Sequence, residues 1–363
     1  MPPHVAAFTD TYLPTVNGVT YTIRTWRERW QRRDGRMDVV YPGADGHDPT
    51  PDEHPVRSLP FPFYEDFRVG VPSVPDAVAN ADIVHAHTPF GLGLGGLRLA
   101  HDIDQPLVAS YHTPTAEYAG YLAEGWLLDA VARVGNAYER WFLGRADHIV
   151  VPSETVRTAL TRRGIGPVSV VSNGVDTDRF APTDTADFRA RHDLPDGPLV
   201  GYTGRHGFEK ELADLVAAAE GMDATFVLAG DGPANKTLQE EADESDADIR
   251  FLGFLDREEL PALYSALDVF GFPSPVETEG LVALEAMACG TPVVGVDSGA
   301  LTETIEDGET GYHYERGDID AFRDALGRAL ADDGLSATCR SRRESMSVEH
   351  SVDSLADVYD TVL

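Results

Sequence analysis

Short apolar runs recur along this chain, each followed by a longer segment with helical spacing, and that alternation restricts the fold more than any other feature. Runs at 5–8, 37–41, 83–86, 107–111, 149–151 and 168–171 predict strands. Strands apolar on both faces and separated by helices belong to parallel sheets covered on both sides. The rhythm breaks at 173–197, where NGVDTDRFAPTDTADFRARHDLPDG is rich in turn formers and charge and reads as a linker. It restarts with runs at 199–203, 225–229, 249–252, 269–272 and 292–296. The prediction is therefore α/β: two doubly wound Rossmann-like domains, 1–172 and 198–345, with ligands at the carboxyl ends of the strands. A chain of 363 residues is long enough for two such cores. The end of the chain, within 346–363, has the apolar spacing of one more helix.

Within the second domain, the stretch SPVETEGLVALEAMACGTPVV at 274–294 carries the most chemistry. Glu277 and Glu285 stand eight positions apart, with Gly280 between them at the start of a helix predicted over 281–289. Gly290 supplies the stop, and Thr291-Pro292 leads into an apolar strand. A loop, a glycine at a helix N-terminus and a following strand form a geometry in which backbone N–H groups face a phosphate. Carboxylates on either side add recognition of hydroxyls, and a ligand with both groups is a nucleotide sugar. Upstream, GRHGFEK follows the first strand of the same domain. Arg205 and Lys210, five apart at a strand-to-helix turn, can converge on one diphosphate, the first as a bidentate fork and the second as a point charge. The chain has only one other lysine, Lys236.

The ordered string Pro273-Ser274, Glu277, Gly280-Leu281, Glu285-Ala286-Met287-Ala288, Gly290 and Pro292 resembles the Glu-x7-Glu motif of retaining GT-B glycosyltransferases of family 4, or glycosyl transferase group 1. The resemblance extends over nearly the whole chain. It implies a GT-B fold of two Rossmann-like domains facing a cleft, the first binding the acceptor and the second the nucleotide sugar, with the last helix crossing back onto the first. By the same resemblance Glu285 holds the ribose hydroxyls, and Glu277 with the Gly280 and Leu281 backbone holds the donor hexose. Arg205 and Lys210 hold the diphosphate and stabilise its charge as it leaves. Asn17-Gly18, after the first strand, is similar to the loop whose backbone approaches the donor phosphate. His112, at a strand end in SYHTPTAEYAG, matches a histidine that hydrogen-bonds a sugar hydroxyl. His112, Arg205, Lys210 and Glu277 are the catalytic set so implied.

The implied activity is hexosyl transfer from a nucleotide sugar, UDP-glucose ahead of GDP-mannose, to a membrane lipid or lipid-linked glycan. Neither cofactor nor metal is implied. A nucleotide-sugar epimerase of the same fold stays open, and a NAD-dependent oxidoreductase more distantly. Two positions depart from the family pattern. Glu211 replaces the glycine after the lysine, and Glu279 stands where an aromatic or apolar residue is usual. Glu279 reads as a solvated loop carboxylate.

Charge narrows the partners. With 61 acidic residues against 29 Lys and Arg, the formal charge is −32, which opposes binding to nucleic acid or to an anionic membrane at ordinary salt. Such acidity with so little lysine resembles the proteins of salt-accumulating halophilic archaea, where salt screens self-repulsion. Two cysteines are too few for a disulfide framework or a zinc site. No stretch reaches the roughly 20 apolar residues of a membrane span, and the N-terminus lacks a basic n-region. A cytoplasmic protein, peripheral at most to a membrane, is expected. The aromatic loop at 59–64 and the segment 117–145, with Arg133 and Arg140 on one helix face, are the candidate acceptor surfaces. Gly91 to Gly96 fit G-x-G-x-x-G but follow a later strand and lack the acidic ribose ligand, so helix packing explains them better. The pairs Asp102/Asp104 and Asp318/Asp320 mimic a metal-binding Asp-x-Asp and are expected by chance in so acidic a chain.

Overall fold

The computed structural model describes residues 2–60, 68–112 and 126–363, except for the side chains of 126–132. The chain divides into two compact units, Met1–Asn173 with Ser351–Leu363, and Gly174–His350.

The first unit is built on a seven-stranded sheet of order β3-β2-β1-β6-β7-β8-β9. Its strands are β1 (His4–Phe8), β2 (Arg36–Pro42), β3 (Glu53–Val56), β6 (Ile83–Ala86), β7 (Leu107–Ser110), β8 (His148–Val151) and β9 (Val168–Val170). All adjacent pairs are parallel. A two-stranded ribbon, β4 (Ser58–Pro60) and β5 (Arg68–Gly70), lies outside this sheet. Neither β3 nor the ribbon is foreshadowed by an apolar run, because Pro and charged residues interrupt them. The helix Gly18–Arg32 starts at Asn17, whose side chain accepts from Thr20 N at 3.0 Å. The helix Val348–Val362 seats Tyr359 fully buried in this unit. Trp26 donates to Asn173 O and to Ser351 Oγ, both at 2.9 Å.

The second unit has a six-stranded, all-parallel sheet of order β12-β11-β10-β13-β14-β15. The strands are β10 (Leu199–Thr203), β11 (Thr225–Ala229), β12 (Ile249–Gly253), β13 (Val269–Phe272), β14 (Val293–Val296) and β15 (Gly311–Tyr314). Strand order reverses between β10 and β13, and in the first sheet between β1 and β6. Loops leaving neighbouring strands at such a point diverge and leave a crevice at the carboxyl edge. Residues 174–197, expected as a linker, instead lie inside the second unit. Phe180, Phe188 and Leu194 pack into its core, from a turn, the short helix Ala186–Arg191 and the loop after it, so no single period marks them.

Candidate functional site

The two segments singled out in the sequence leave the two strands that flank the reversal in the second sheet, β10 and β13. That topology brings residues 67 apart into contact: Lys210 Nζ donates to Glu277 Oε1 at 2.7 Å. Both side chains keep some exposure, 21% and 16%. Arg205 pairs through Nη2 with Glu209 Oε1. Each basic group expected at the diphosphate thus faces a carboxylate of the chain itself. Beneath them Tyr202 is buried among aromatic rings, and burial pushes its phenol far above the usual range.

Backbone packing explains the glycines here. A Cβ on Gly230 would stand 1.9 Å from Gly204 O, and one on Gly232 would stand 2.5 Å from His206 O. The ends of β10 and β11 are therefore pressed together, as the Gly230-Asp231-Gly232 turn requires. Gly280 has φ +85°, and a Cβ there would meet Leu301 Cδ2 at 3.0 Å and Phe272 Cε1 at 3.1 Å. It starts the helix Leu281–Ala288 from the left-handed region that glycine tolerates best.

Glu285, on the second turn of that helix, is almost completely buried, and both of its oxygens are engaged. Tyr264 OH donates to Oε2 at 2.9 Å, and Arg257 Nη2 lies 3.2 Å from Oε1. Burial raises the pKa of its carboxyl above the usual value while Arg257 and Tyr264 pull it back. Arg257 lies over the Phe180 ring, 5.0 Å from the centroid. Glu279 overturns its expectation: it is 5% exposed, not solvated, because the loop folds inward and its carbonyl accepts from Thr304 Oγ1 at 2.6 Å.

In the first unit His112 follows β7 and meets His87, which follows β6; His87 Nδ1 and His112 Nε2 are 3.1 Å apart. His85 stacks on His87 with ring centroids 4.1 Å apart, and hydrogen-bonds Tyr359 OH at 2.7 Å and Ser110 Oγ at 2.8 Å. Burial holds all three imidazoles neutral, lowering His112 to about 4 and His85 to about 3. A neutral His112 suits hydrogen bonding to a hydroxyl. Gly18 is the first residue of its helix, and Asn17 Nδ2 ties the preceding loop to Thr11 Oγ1 at 2.7 Å.

The glycine-rich helix Gly91–Ile103 has its first amides occupied from within the protein. Asp10 at the end of β1 accepts from Leu92 N at 3.0 Å, and burial raises the pKa of its carboxyl. Gly93 is pressed so close to Thr88 O that a Cβ would stand 1.9 Å away, and Gly96 lies 3.1 Å from Phe8 by the same measure. Packing accounts for these glycines. The two Asp-x-Asp pairs are spent on structure as well. Asp104 ends the helix Gly91–Ile103 at φ +54°, and Asp318 caps the helix Ile319–Leu330 by accepting from Ala321 N. Of the candidate acceptor surfaces, 61–64 and 117–125 lie outside the described residues. Within the rest, Arg145 lies over Trp141, 4.1 Å from the ring centroid, and Trp141 is 42% exposed. No described helix is long and apolar enough to cross a membrane.

Arg257, Tyr264, Phe180, His85 and His87 escaped the sequence reading. Arg257 sits in a charged Asp-Arg-Glu-Glu turn that looks like solvated surface, and nothing local distinguishes it.

Comparison with known proteins decides the family. Residues 184–346 match the family model described as glycosyl transferases group 1, and 16–179 match glycosyltransferase family 4. The chain is 31% identical over 339 residues to the GDP-mannose-dependent alpha-mannosyltransferase of Mycolicibacterium smegmatis, spanning 90% of this chain and 87% of that one. The chain belongs to the group 1 glycosyltransferases. This glycosyltransferase is also 30% identical over 331 residues to the alpha-monoglucosyldiacylglycerol synthase of Streptococcus pneumoniae, covering 85% and 75% of the two chains. Its fold matches the GT-B structure of Anabaena HepE in complex with UDP and glucose, with a TM-score of 0.79 and 19% identity over 99% and 100% of the chains.

Proposed function

We propose that this glycosyltransferase moves a hexosyl group, with retention of configuration, from a nucleotide diphosphate sugar to a hydroxyl of a lipid or lipid-linked glycan. The contact between Lys210 and Glu277 carries the reading, because it joins a phosphate-seeking cation and a hydroxyl-seeking carboxylate at one strand-end crevice. Lys210 and Arg205 would exchange their glutamate partners for the donor diphosphate. Glu277 and the backbone of Gly280 and Leu281 would take the hexose, Glu285 the ribose, and His112 a sugar hydroxyl; the backbone at Gly18 would approach a phosphate. In the transfer the acceptor oxygen bonds to the anomeric carbon as the bond from that carbon to the phosphate oxygen breaks, and the acceptor proton leaves with the diphosphate. Arg205 and Lys210 stabilise the charge on that leaving group, each worth a few kcal/mol by analogy with oxyanion donors. No metal or cofactor takes part.

UDP-glucose is the expected donor, and the name of the Streptococcus pneumoniae relative supports a glycerolipid acceptor. The Mycolicibacterium relative's name favours GDP-mannose instead, so both donors belong in the test. Purified protein in molar KCl would be given UDP-glucose or GDP-mannose with an archaeal lipid extract, and glycolipid product followed by mass spectrometry. Lys210→Ala is expected to lower turnover about 100-fold or more, Glu285→Ala to weaken donor binding, and chelator to change nothing. Undiminished transfer by both variants would sink the proposal. Conversion of the donor sugar without any acceptor would point to an epimerase.

A further inference from the structure

Glu285 is an unusual ligand for hydroxyls, because burial works against its charge and only a charged carboxylate accepts on both oxygens. Two groups from elsewhere in the unit counter that. Tyr264, on the helix Leu260–Ala266, donates to Oε2 at 2.9 Å. Arg257, in the loop before that helix, brings a guanidinium to 3.2 Å from Oε1. Both are braced by Phe180, whose ring lies edge-on to Tyr264 at 6.0 Å and beneath the Arg257 guanidinium at 5.0 Å. A carboxylate has about four acceptor positions. Tyr264 and Arg257 take one on each oxygen, leaving one on each, which is the complement of a vicinal diol.

We propose that Arg257 is a positioning residue of the nucleotide site: seated on Phe180, it keeps the Glu285 carboxylate charged and oriented so that its two remaining acceptor positions take the 2′- and 3′-hydroxyls of a ribonucleoside diphosphate. The inference rests on the assignment of Glu285 to ribose. Other groups bearing on Glu285 are Arg179 from the 174–197 segment, and Cys289 one turn further along its own helix, whose thiol burial pushes up to about 12. Arg257 is the only one of these that pairs with a Glu285 oxygen as a cation among the described residues. Without it, burial acts on the carboxyl with less opposition. The carboxyl then protonates nearer neutrality and one acceptor position becomes a donor.

The test is calorimetric binding of UDP and GDP, each beside its 2′-deoxy counterpart, to the full chain in molar KCl from pH 6 to pH 8.5. Wild type should prefer the ribonucleotide by a ratio that does not vary with pH over this range. Arg257→Met and Arg257→Gln should lose that preference at least tenfold at pH 6 and regain much of it by pH 8.5. Arg257→Lys, which keeps the charge, should stay flat. A structural role alone would weaken both nucleotides equally at every pH. A neutral variant whose preference stays flat and undiminished overturns the role of Arg257. Glu285→Gln separates the two ideas: if it keeps the ribose preference, the assignment of Glu285 itself fails. Should neither neutral variant unfold cooperatively, wild type decides alone, since a ribose preference with a midpoint between pH 6.5 and 8 would show that Glu285 is not held charged.

Discussion

At Glu211 the backbone has φ +50°, the left-handed region in which a side chain is a cost of about 1 kcal/mol relative to glycine. Arg316 meets that side chain: its Nε lies 3.1 Å from Glu211 Oε2 and its Nη2 pairs with Oε1. Solvent screens this exposed pair, so its contribution to stability is small. Glu211→Gly relieves the strain and loses only the screened pair, so it should leave the protein at least as stable as it is now. Glu211→Val, with branching at Cβ, should cost roughly 1–3 kcal/mol. Urea unfolding at constant salt measures both, and a Gly variant less stable than the Val variant would remove the strain argument. Residue type and spacing single out Arg205, Lys210, Glu277 and Glu285 as the proposed donor-site residues. They did not suffice for Glu279, because whether a loop carboxylate meets water depends on where the loop folds.

Elements position those residues through strand order. The reversal between β10 and β13 places the Arg205–Lys210 loop beside the Glu277 loop, and the reversal between β1 and β6 does the same for the segments that carry Asn17 and His87. In the first unit three strand-end histidines are packed against Trp26 without charge. His85 binds no proton in the folded state until about pH 3, whereas unfolded it titrates near 6.5. The unfolded chain therefore binds more protons across that window. The contribution of a neutral His85 is complete above pH 6.5 and is lost as pH falls towards 3, with a slope of up to about 1.4 kcal/mol per pH unit. His85→Gln keeps hydrogen-bonding capacity without titrating. Its unfolding midpoint should fall less than that of wild type between pH 7 and pH 5, and parallel slopes would refute the linkage.

On the scale of the whole molecule, charge is the dominant property. A formal −32 on 363 residues repels itself, and most of the cations present are already committed to local pairs such as Arg27 with Glu53 and Arg342 with Glu306 and Glu309. Raising KCl should therefore raise the melting temperature by several degrees. Most of the gain should be complete near 1 M, where the Debye length is about 3 Å. Calorimetric melts from 0.1 to 3 M KCl measure this, and a flat or falling profile would show that repulsion does not limit stability. The division into two units falls between Asn173 and Gly174, at the start of the pause in the strand rhythm, and no separate linker follows it. Phe180 and Phe188 make 174–197 part of the second core, a role that turn-rich composition conceals.

The sequence by itself determined the kinds of element, the two parallel sheets and which side chains are candidates for a phosphate and a diol, since period and side-chain chemistry are local properties. Tertiary structure alone decided which groups meet. It gave Lys210 to Glu277 across 67 positions, set Arg257 and Tyr264 on the two oxygens of Glu285, and placed Asp10 over the helix amides that a phosphate would have needed. Those contacts depend on strand order and loop path, and long-range pairing leaves no mark on the residues between.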